Sequence, residues 1–240
     1  MKHRKITTVL FDLDDTLHDD TLAYRSAAQE VAQEVAAEWN VDALLLKAAY
    51  IAHAEGFWER LDAEQLTSKL GTVRASLWHA ALRDVGLDDG DLAARCGLQY
   101  NAYRRKYFKM FPGAVDLLRN LRDRGVKLGV VTNGFAETHR EKIELLNISE
   151  LFDAIFIADE VGMLKPDPLL FAHACLKLES SPSSSAMVGD RYERDIRGAL
   201  TAGLYTIWMN VHAATLPAGA PPPDATVNTI DEVAHALRLF

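Results

Sequence analysis

An alternation of short apolar segments with helix-like segments places the strongest constraint on the fold. The apolar runs are rich in β-branched residues and lie at residues 6–11, 126–132, 154–158, 185–188, 204–209 and, more weakly, 225–229. Helix-compatible segments fill most of the gaps, at residues 115–124, 136–146, 169–178 and 194–202. Strands that alternate with helices favour right-handed crossovers and a parallel sheet with helices on both faces. We therefore predict an α/β fold with a Rossmann-like parallel-sheet core.

One long stretch departs from this alternation. Between about residues 22 and 105 no strand pattern occurs, but runs rich in Ala, Glu and Leu at 23–39 and 41–58 are typical of helices. This stretch predicts a helical-bundle domain inserted between the first and second strands. In chain order, the predicted parts are core 1–17, helical cap 18–108 and core 109–240.

Composition narrows the classes of function. The chain has 26 Lys plus Arg against 34 Asp plus Glu, a formal net charge of −8, which argues against binding to a nucleic-acid polymer. Cys96 and Cys175 are far apart and lack metal-ligand spacing, so we expect two free thiols in a reducing cytoplasm. The apolar run after the basic N-terminus is short and is broken by Asp12, so we expect neither a signal peptide nor membrane association.

Acidic residues follow the first predicted strand. Residues 11–17 read FDLDDTL, so Asp12 and Asp14 both leave the carboxyl end of the strand. Clustered acids repel one another unless a cation or a function holds them there. One of these carboxylates can attack phosphorus while the other protonates the leaving oxygen. The alternative is a set of solvated acids that cap a following helix, a role that suits Asp15 best.

The second predicted strand ends in Thr132, Asn133 and Gly134. The Thr132 hydroxyl, the Asn133 side chain and exposed backbone N–H groups of such a turn can bind phosphate oxygens. The same residues also suit an ordinary turn that ends a strand. On its own, this segment leaves both interpretations open.

Lys165 follows the third predicted strand and precedes Pro166. A residue before proline favours extended backbone, so Lys165 should project from the turn and balance nearby carboxylates and an incoming phosphate. The alternative is a solvated surface lysine. The functional interpretation therefore depends on the acidic residues that the other strands supply.

The fourth predicted strand ends in Gly189 and Asp190, and Asp195 follows on the next turn. Carboxylates of Asp12 and Asp190, with the backbone carbonyl of Asp14, would form an oxygen site suited to Mg²⁺. We expect Asp195 to orient water around the metal or to pair with Lys165. Asp190 could instead cap the following helix.

In chain order these motifs resemble the haloacid dehalogenase superfamily, specifically its phosphatases with a helical cap inserted after the first strand. The family pattern is DxDx[TV] at the first strand, Thr or Ser at the second, Lys after the third, and GD with a further Asp after the fourth. The chain matches this pattern at Asp12, Asp14, Thr16, Thr132, Lys165, Asp190 and Asp195. The resemblance covers the whole chain.

The resemblance implies a magnesium-dependent phosphatase that works through an aspartyl-phosphate. Asp12 would be the nucleophile and Asp14 the acid and base, with Asp12, Asp14 and Asp190 around the metal. Thr132, Asn133 and Lys165 would bind the phosphate. Thr16 and Asp195 would contact and orient the residues that bind the metal and the phosphate. The helical domain would close as a lid over a small phosphorylated metabolite, in a monomer or homodimer.

Several alternatives share this scaffold. Dehalogenases and phosphonatases usually lack the second acid, so Asp14 argues against both. Phosphomutases of the β-phosphoglucomutase kind share every core motif, and a non-catalytic binding protein could retain the fold. The ester could be a nucleotide monophosphate or a sugar or organic-acid phosphate. Candidate lid residues are His18, Arg25, Arg74, Trp78, His79, Tyr103 and Arg104.

Overall fold

The computed structural model describes residues 5–237. These residues form two compact units, an α/β unit that comprises the described residues up to 19 and from 110 onward, and a helical unit, Asp20–Lys109. The predicted helical domain, 18–108, begins two residues before this unit. His18 belongs with the α/β unit because its backbone bridges to both Asp14 and Met110.

The α/β unit contains a six-stranded sheet with the order β3-β2-β1-β4-β5-β6, and every neighbouring pair is parallel. The strands are β1 (Thr8–Phe11), β2 (Lys127–Thr132), β3 (Ala154–Ile157), β4 (Ser185–Gly189), β5 (Tyr205–Met209) and β6 (Ala225–Val227). The predicted α/β fold with a parallel sheet is therefore confirmed, including the weak final strand. The first strand in sequence occupies a central position, between β2 and β4.

Helices of the α/β unit occupy most of the predicted intervals. They are α5 (Ala114–Asp123), α6 (Ala136–Leu145), α7 (Ala158–Val161), α8 (Pro168–Lys177), α9 (Arg197–Ala202) and α10 (Ile230–Ala236). Short 3₁₀ turns lie at Ser149–Leu151 and Pro182–Ser184, and a π-helical turn at Tyr192–Ile196 precedes α9. The segment predicted as one helix, 194–202, thus consists of the end of the π-helical turn followed by α9.

Both faces of the sheet are buried, as the continuous apolar strands require. Alternate side chains of a strand point to opposite faces. Val9 and Phe11 of β1 accordingly pack in one core with α5, α6 and α10, while Leu10 packs in a second core with α8 and α9. Packing on both faces fixes β1 and therefore the residues that follow its carboxyl end.

The helical unit contains four longer helices and one 3₁₀ turn. They are α1 (Asp20–Glu38), α2 (Ala43–Glu59), the turn Gln65–Thr67, α3 (Leu70–Asp84) and α4 (Gly90–Lys106). Asp42 and Asp89 cap α2 and α4 by accepting hydrogen bonds from backbone N–H groups of the first turn. Within residues 5–237, none of the helices has the length and apolar character needed to cross a membrane.

Aromatic residues form the centre of the helical unit. The rings of Tyr50 and Trp78 stack with their centroids 4.0 Å apart, and Tyr100 meets both rings edge-on. Aromatic pairs of this kind contribute about 0.5–1.5 kcal/mol beyond their buried area. Trp78, a candidate lid residue, is therefore a core residue of this unit.

Candidate active site

Three adjacent strands bring the predicted site residues to one edge of the sheet. Phe11 is in register with Val130 of β2 and with Val188 of β4. Because the three strands are parallel, the residues after their carboxyl ends emerge at the same edge. The backbone N–H of Asp12 donates to the carbonyl of Val188 at 2.9 Å, which fixes Asp12 directly beyond the last paired residue.

A buried lysine links two of the predicted carboxylates. Lys165 Nζ lies 2.6 Å from Asp12 Oδ1 and 2.7 Å from Asp195 Oδ1, and all three residues are buried. Burial lowers the pKa of Lys165, but the charges and hydrogen bonds of Asp12 and Asp195 outweigh it and raise that pKa overall. Lys165 is thus a buried cation held between two carboxylates. Of the two roles considered for Asp195, the contact seen here is the pair with Lys165.

Burial also changes the acid at position 12. Burial, opposed by the charge of Lys165 and reinforced by the charge of Asp195, raises the pKa of Asp12 to about 6. An anionic carboxylate is therefore costly here unless positive charge lies close by. Lys165 holds the Asp12 carboxylate and supplies part of the positive charge that the anionic form requires.

Asn133 places Lys165 through its backbone. The Asn133 side chain accepts from the Lys165 N–H at 2.8 Å and donates to the Lys165 carbonyl at 2.9 Å. The amide thus bridges the turn after β2 and the loop that carries Lys165. Binding of phosphate oxygens by Asn133 stays a prediction. Thr132 is buried as the last residue of β2.

Thr16 and Trp208 hold Asp190. The Thr16 hydroxyl accepts from the Asp190 N–H at 3.0 Å and donates to Asp190 Oδ1 at 3.3 Å. The indole N–H of Trp208 donates to the Asp190 carbonyl at 2.8 Å. These contacts orient the carboxylate after β4 from two sides. Thr16 therefore contacts a residue that is predicted to bind the metal, and its own supporting role stays a prediction.

Gly189 allows Asp195 to approach the end of β4. A Cβ at this position would lie 2.5 Å from side-chain atoms of Asp195, closer than any real contact. Asp195 Oδ2 also accepts from the backbone N–H of Arg191 at 2.9 Å. The glycine of the GD motif is thus required by packing, since a side chain would displace the carboxylate that pairs with Lys165.

Carboxylates of the cluster suit a divalent cation. One oxygen each from Asp12, Asp190 and Asp195 lie within 4.8 Å of one another. Burial, followed by the charges of Asp195 and Asp12, raises the pKa of Asp190 well above its ordinary value. A cation between Asp12 and Asp190 would offset this repulsion, and hard divalent cations prefer such oxygen ligands. Lys165 and the Arg191 N–H engage both oxygens of Asp195, whereas Lys165 contacts Asp12 at Oδ1, so the residues fit a metal held by Asp12 and Asp190.

Asp14 points toward two residues of α6 that lie outside the sequence motifs. Lys142 Nζ lies 2.5 Å from Asp14 Oδ1, and His139 Nε2 lies 3.4 Å from Asp14 Oδ2. Lys142 and His139 are both buried, and the ring Nδ1 of His139 donates to the Phe135 carbonyl at 3.0 Å. Their three-residue spacing, which places both on one helix face directly after the Thr-Asn-Gly turn, is the sequence signal that could have found them.

Gly134 makes room for this arrangement. Its φ of +146° lies in a region that side chains disfavour, and a Cβ there would lie 2.4 Å from the His139 ring. The chain can therefore turn from β2 into α6 with His139 packed against the turn. The same compact turn brings His139 and Lys142 of α6 near Asp14.

Other candidate lid residues have partners within their own unit. Arg25 pairs with Glu55, His79 with Asp88, and Tyr103 donates to Glu34. Arg104 pairs with Asp20, and Arg74 donates to Asn101. His18 is buried in the α/β unit. These contacts give structural roles to side chains that had been considered for binding the ester.

The fold and the cluster at the sheet edge define the class of protein. The sequence pattern of the haloacid dehalogenase-like hydrolases matches residues 6–203, and the chain belongs to that family. The predicted family is therefore confirmed. A solved structure of the HAD hydrolase YfnB from Bacillus subtilis, described as bound to magnesium, superposes with a TM-score of 0.79 at 24% identity and covers 98% of this chain and 100% of that one.

Two relatives of the chain are phosphatases. The chain is 30% identical over 244 residues to an N-acylneuraminate-9-phosphatase of Rattus norvegicus, covering 98% of this chain and 94% of the relative. It is 31% identical over 204 residues to a glyceraldehyde 3-phosphate phosphatase of Methanopyrus kandleri, covering 84% and 83%. These relatives confirm the predicted enzyme class, a hydrolase acting on phosphoric monoesters.

Proposed function

We propose that the chain hydrolyses a small phosphomonoester through an aspartyl-phosphate on Asp12, with Mg²⁺ as its cofactor. The observation that carries this proposal is the Asp12 carboxylate at the central strand end, held by Lys165 and close to Asp190. A carboxylate fixed in this way can attack phosphorus without having to reorient.

Asp12 forms the new bond to phosphorus while the ester P–O bond breaks. The electron pair of that bond moves to the leaving oxygen, which takes a proton from Asp14. Water then attacks the phosphorus of the aspartyl-phosphate, gives its proton to Asp14 and releases inorganic phosphate and the free Asp12 carboxylate. Asp14 thus donates a proton during ester cleavage and accepts one during hydrolysis of the aspartyl-phosphate.

Positive charge around Asp12 would stabilise the phosphoryl group during transfer. Lys165 supplies one fixed charge, Thr132 ends β2, and the backbone N–H of Asn133 follows it at the same edge. Mg²⁺, held by Asp12, Asp190 and the Asp14 carbonyl, would neutralise phosphoryl oxygens and so favour attack by an anionic carboxylate. Thr16 and Asp195 would keep Asp190 and Lys165 in place.

We infer that the substrate is a sugar or organic-acid phosphate rather than a nucleotide monophosphate. The proposal is supported by the two relatives described above, whose names specify a phosphorylated sugar acid and a phosphorylated aldehyde. It is also supported by Trp78, which is used in packing and is not available as a base-stacking platform. We assign selection of the leaving group to the helical unit, in the role of a cap.

Hydrolysis of p-nitrophenyl phosphate by wild type and D12N, each with and without Mg²⁺, tests the reaction. Magnesium-dependent activity that is lost in D12N is expected, and full activity in D12N would contradict the proposal. A panel of phosphorylated sugars, organic acids and nucleotides, ranked by kcat/KM, tests the substrate class. A nucleotide at the top of that ranking would overturn the assignment to sugar or organic-acid phosphates.

A further inference from the structure

The fully buried lysine of α6 has no role in the reaction described so far. The side chain of Lys142 is 0% exposed, whereas that of its partner Asp14 is 28% exposed. Burying an ammonium group and a carboxylate together usually stabilises a fold less than an apolar pair of the same size would. The presence of lysine at this position is therefore better explained by its effect on Asp14 than by a contribution to stability.

The contact between Lys142 and Asp14 is asymmetric. The ammonium group approaches Oδ1 at 2.5 Å, while Oδ2 faces His139 Nε2 at the longer distance of 3.4 Å. A carboxyl group rotates readily about its last side-chain torsion, and that rotation exchanges its two oxygens. An ammonium anchored at one oxygen prevents this exchange and leaves the other oxygen in a defined direction.

The support behind this contact is rigid. Lys142 lies in α6, whose first turn is fixed to the end of β2 by the packing of His139 on Gly134. Asp14 lies just beyond β1, the strand that pairs with β2. The helix and the carboxyl group are thus connected through neighbouring strands, which suits a residue that must hold another to within a fraction of an ångström.

We propose that Lys142 is a positioning residue that anchors Oδ1 of Asp14, so that Oδ2 is the oxygen that exchanges protons in the reaction. This inference rests on the proposed role of Asp14 as acid and base. During ester cleavage the proton moves from Asp14 Oδ2 to the leaving oxygen, which also receives the electron pair of the broken P–O bond. During hydrolysis the attacking water returns a proton to the same oxygen.

The leaving group of the ester distinguishes positioning from general structural support. Departure of p-nitrophenolate needs little protonation, whereas an alkoxide leaving group depends on the acid. The value of kcat/KM depends only on the steps up to and including the first irreversible step, which here is cleavage of the ester. We therefore divide kcat/KM for glycerol 2-phosphate by kcat/KM for p-nitrophenyl phosphate. This ratio reports the proton transfer from Asp14 to the leaving oxygen. We expect K142M to lower this ratio about tenfold or more, part of the full contribution of a general acid.

Two variants calibrate the experiment. D14N should lower the ratio at least as far as K142M, and R140M, which removes an exposed pair with Glu160 on the same helix, should leave it unchanged. Circular dichroism establishes that each variant is folded. If K142M does not fold, K142Q repeats the measurement with a polar side chain too short to reach Oδ1, and the same fall is expected.

The outcomes separate the inference from the function on which it rests. A folded K142M or K142Q that loses activity equally on both esters, or on neither, overturns the positioning role. If D14N leaves the ratio unchanged while the wild type is active, the acid role of Asp14 is wrong and the inference falls with it. A selective fall in both D14N and the Lys142 variant, with partial recovery in K142R, supports the proposal.

Discussion

The α/β unit and the helical unit both bury charge, but with opposite sign. At the sheet edge Lys165 stands among three carboxylates, those of Asp12, Asp190 and Asp195. In the helical unit Arg74 and Arg104 are only 5% and 7% exposed. The guanidinium of Arg104 pairs with Asp20, and both arginines lie over the ring of Tyr100.

The two regions differ in how far neighbouring groups offset the buried charges. Burial, followed by the charge of Arg104, lowers the pKa of Arg74, yet both guanidinium groups have polar and aromatic partners within the same unit. The acidic cluster instead retains an excess of carboxylate, and the pKa values of Asp12 and Asp190 are both raised. Lys165 and Arg191 offset only part of this negative charge, so the region is suited to bind a cation, which supports the functional site proposed there.

The largest expected effect is the loss of the nucleophile. D12N keeps the size of the side chain but removes the attacking carboxylate, so kcat should fall about 10⁴-fold or more. Steady-state kinetics with p-nitrophenyl phosphate measures the change. D116N, at an exposed acid of α5, is the matched control and should retain wild-type kcat. Equal losses of kcat in D12N and D116N would contradict a specific role of Asp12 in the reaction.

Removal of the buried cation should have the next largest effect. K165M leaves Asp12 and Asp195 facing each other without a positive charge, and breaking a buried pair in this way costs about 3–5 kcal/mol. The free energy of unfolding in urea, measured without Mg²⁺, checks this. K127M removes an exposed lysine that pairs with Glu179 and should cost about 1 kcal/mol or less. A similar small cost for K165M would show that the acidic cluster does not depend on its lysine.

Asp190 should matter chiefly when the metal is present. D190N removes one proposed ligand, and we expect kcat at saturating substrate to fall about 100-fold or more, since a bound metal supplies several kcal/mol. Wild type should also gain thermal stability on addition of Mg²⁺, and D190N should lose most of that gain. An unchanged rise in Tm in D190N would place the metal elsewhere.

The helical unit supplies the smallest effect. R74M replaces a buried guanidinium that bonds to the neutral Asn101 and is repelled by Arg104, so we expect a loss of only about 1 kcal/mol of unfolding free energy. The exposed R25M serves as the control, with a loss near zero. A loss for R74M as large as that for K165M would mean that the two regions depend equally on buried charge.

The sheet and the residues after its strands could be predicted because both follow from local patterns. Apolar β-branched runs mark buried strands, and parallel pairing brings their carboxyl ends together wherever the strands lie in the sheet. Asp12 and Asp190 were placed on that basis alone. Lys165 was predicted to balance carboxylates for the same reason, since its loop follows a strand of the same sheet.

Other features depend on contacts that no local pattern specifies. Lys142 lies in a helix whose sequence is rich in charge, so its complete burial follows only from the packing of α6 beside β1 and β2. The engagement of Asn133 with the Lys165 backbone likewise requires two distant loops to run together. Helices α3 and α4 were not predicted as separate elements, although Gly86 and the cap residue Asp89 between them are sequence signals that could have marked the boundary.

The central claim is that phosphorus becomes bonded to Asp12 during turnover. Wild-type enzyme mixed with excess substrate and Mg²⁺ can be quenched in acid within one turnover and reduced with borohydride, which converts an aspartyl-phosphate to homoserine. Peptide mass spectrometry should then find homoserine at position 12, and only when substrate is present. Homoserine at another aspartate, or its absence from position 12 in samples that have accumulated phosphoenzyme, would contradict the account.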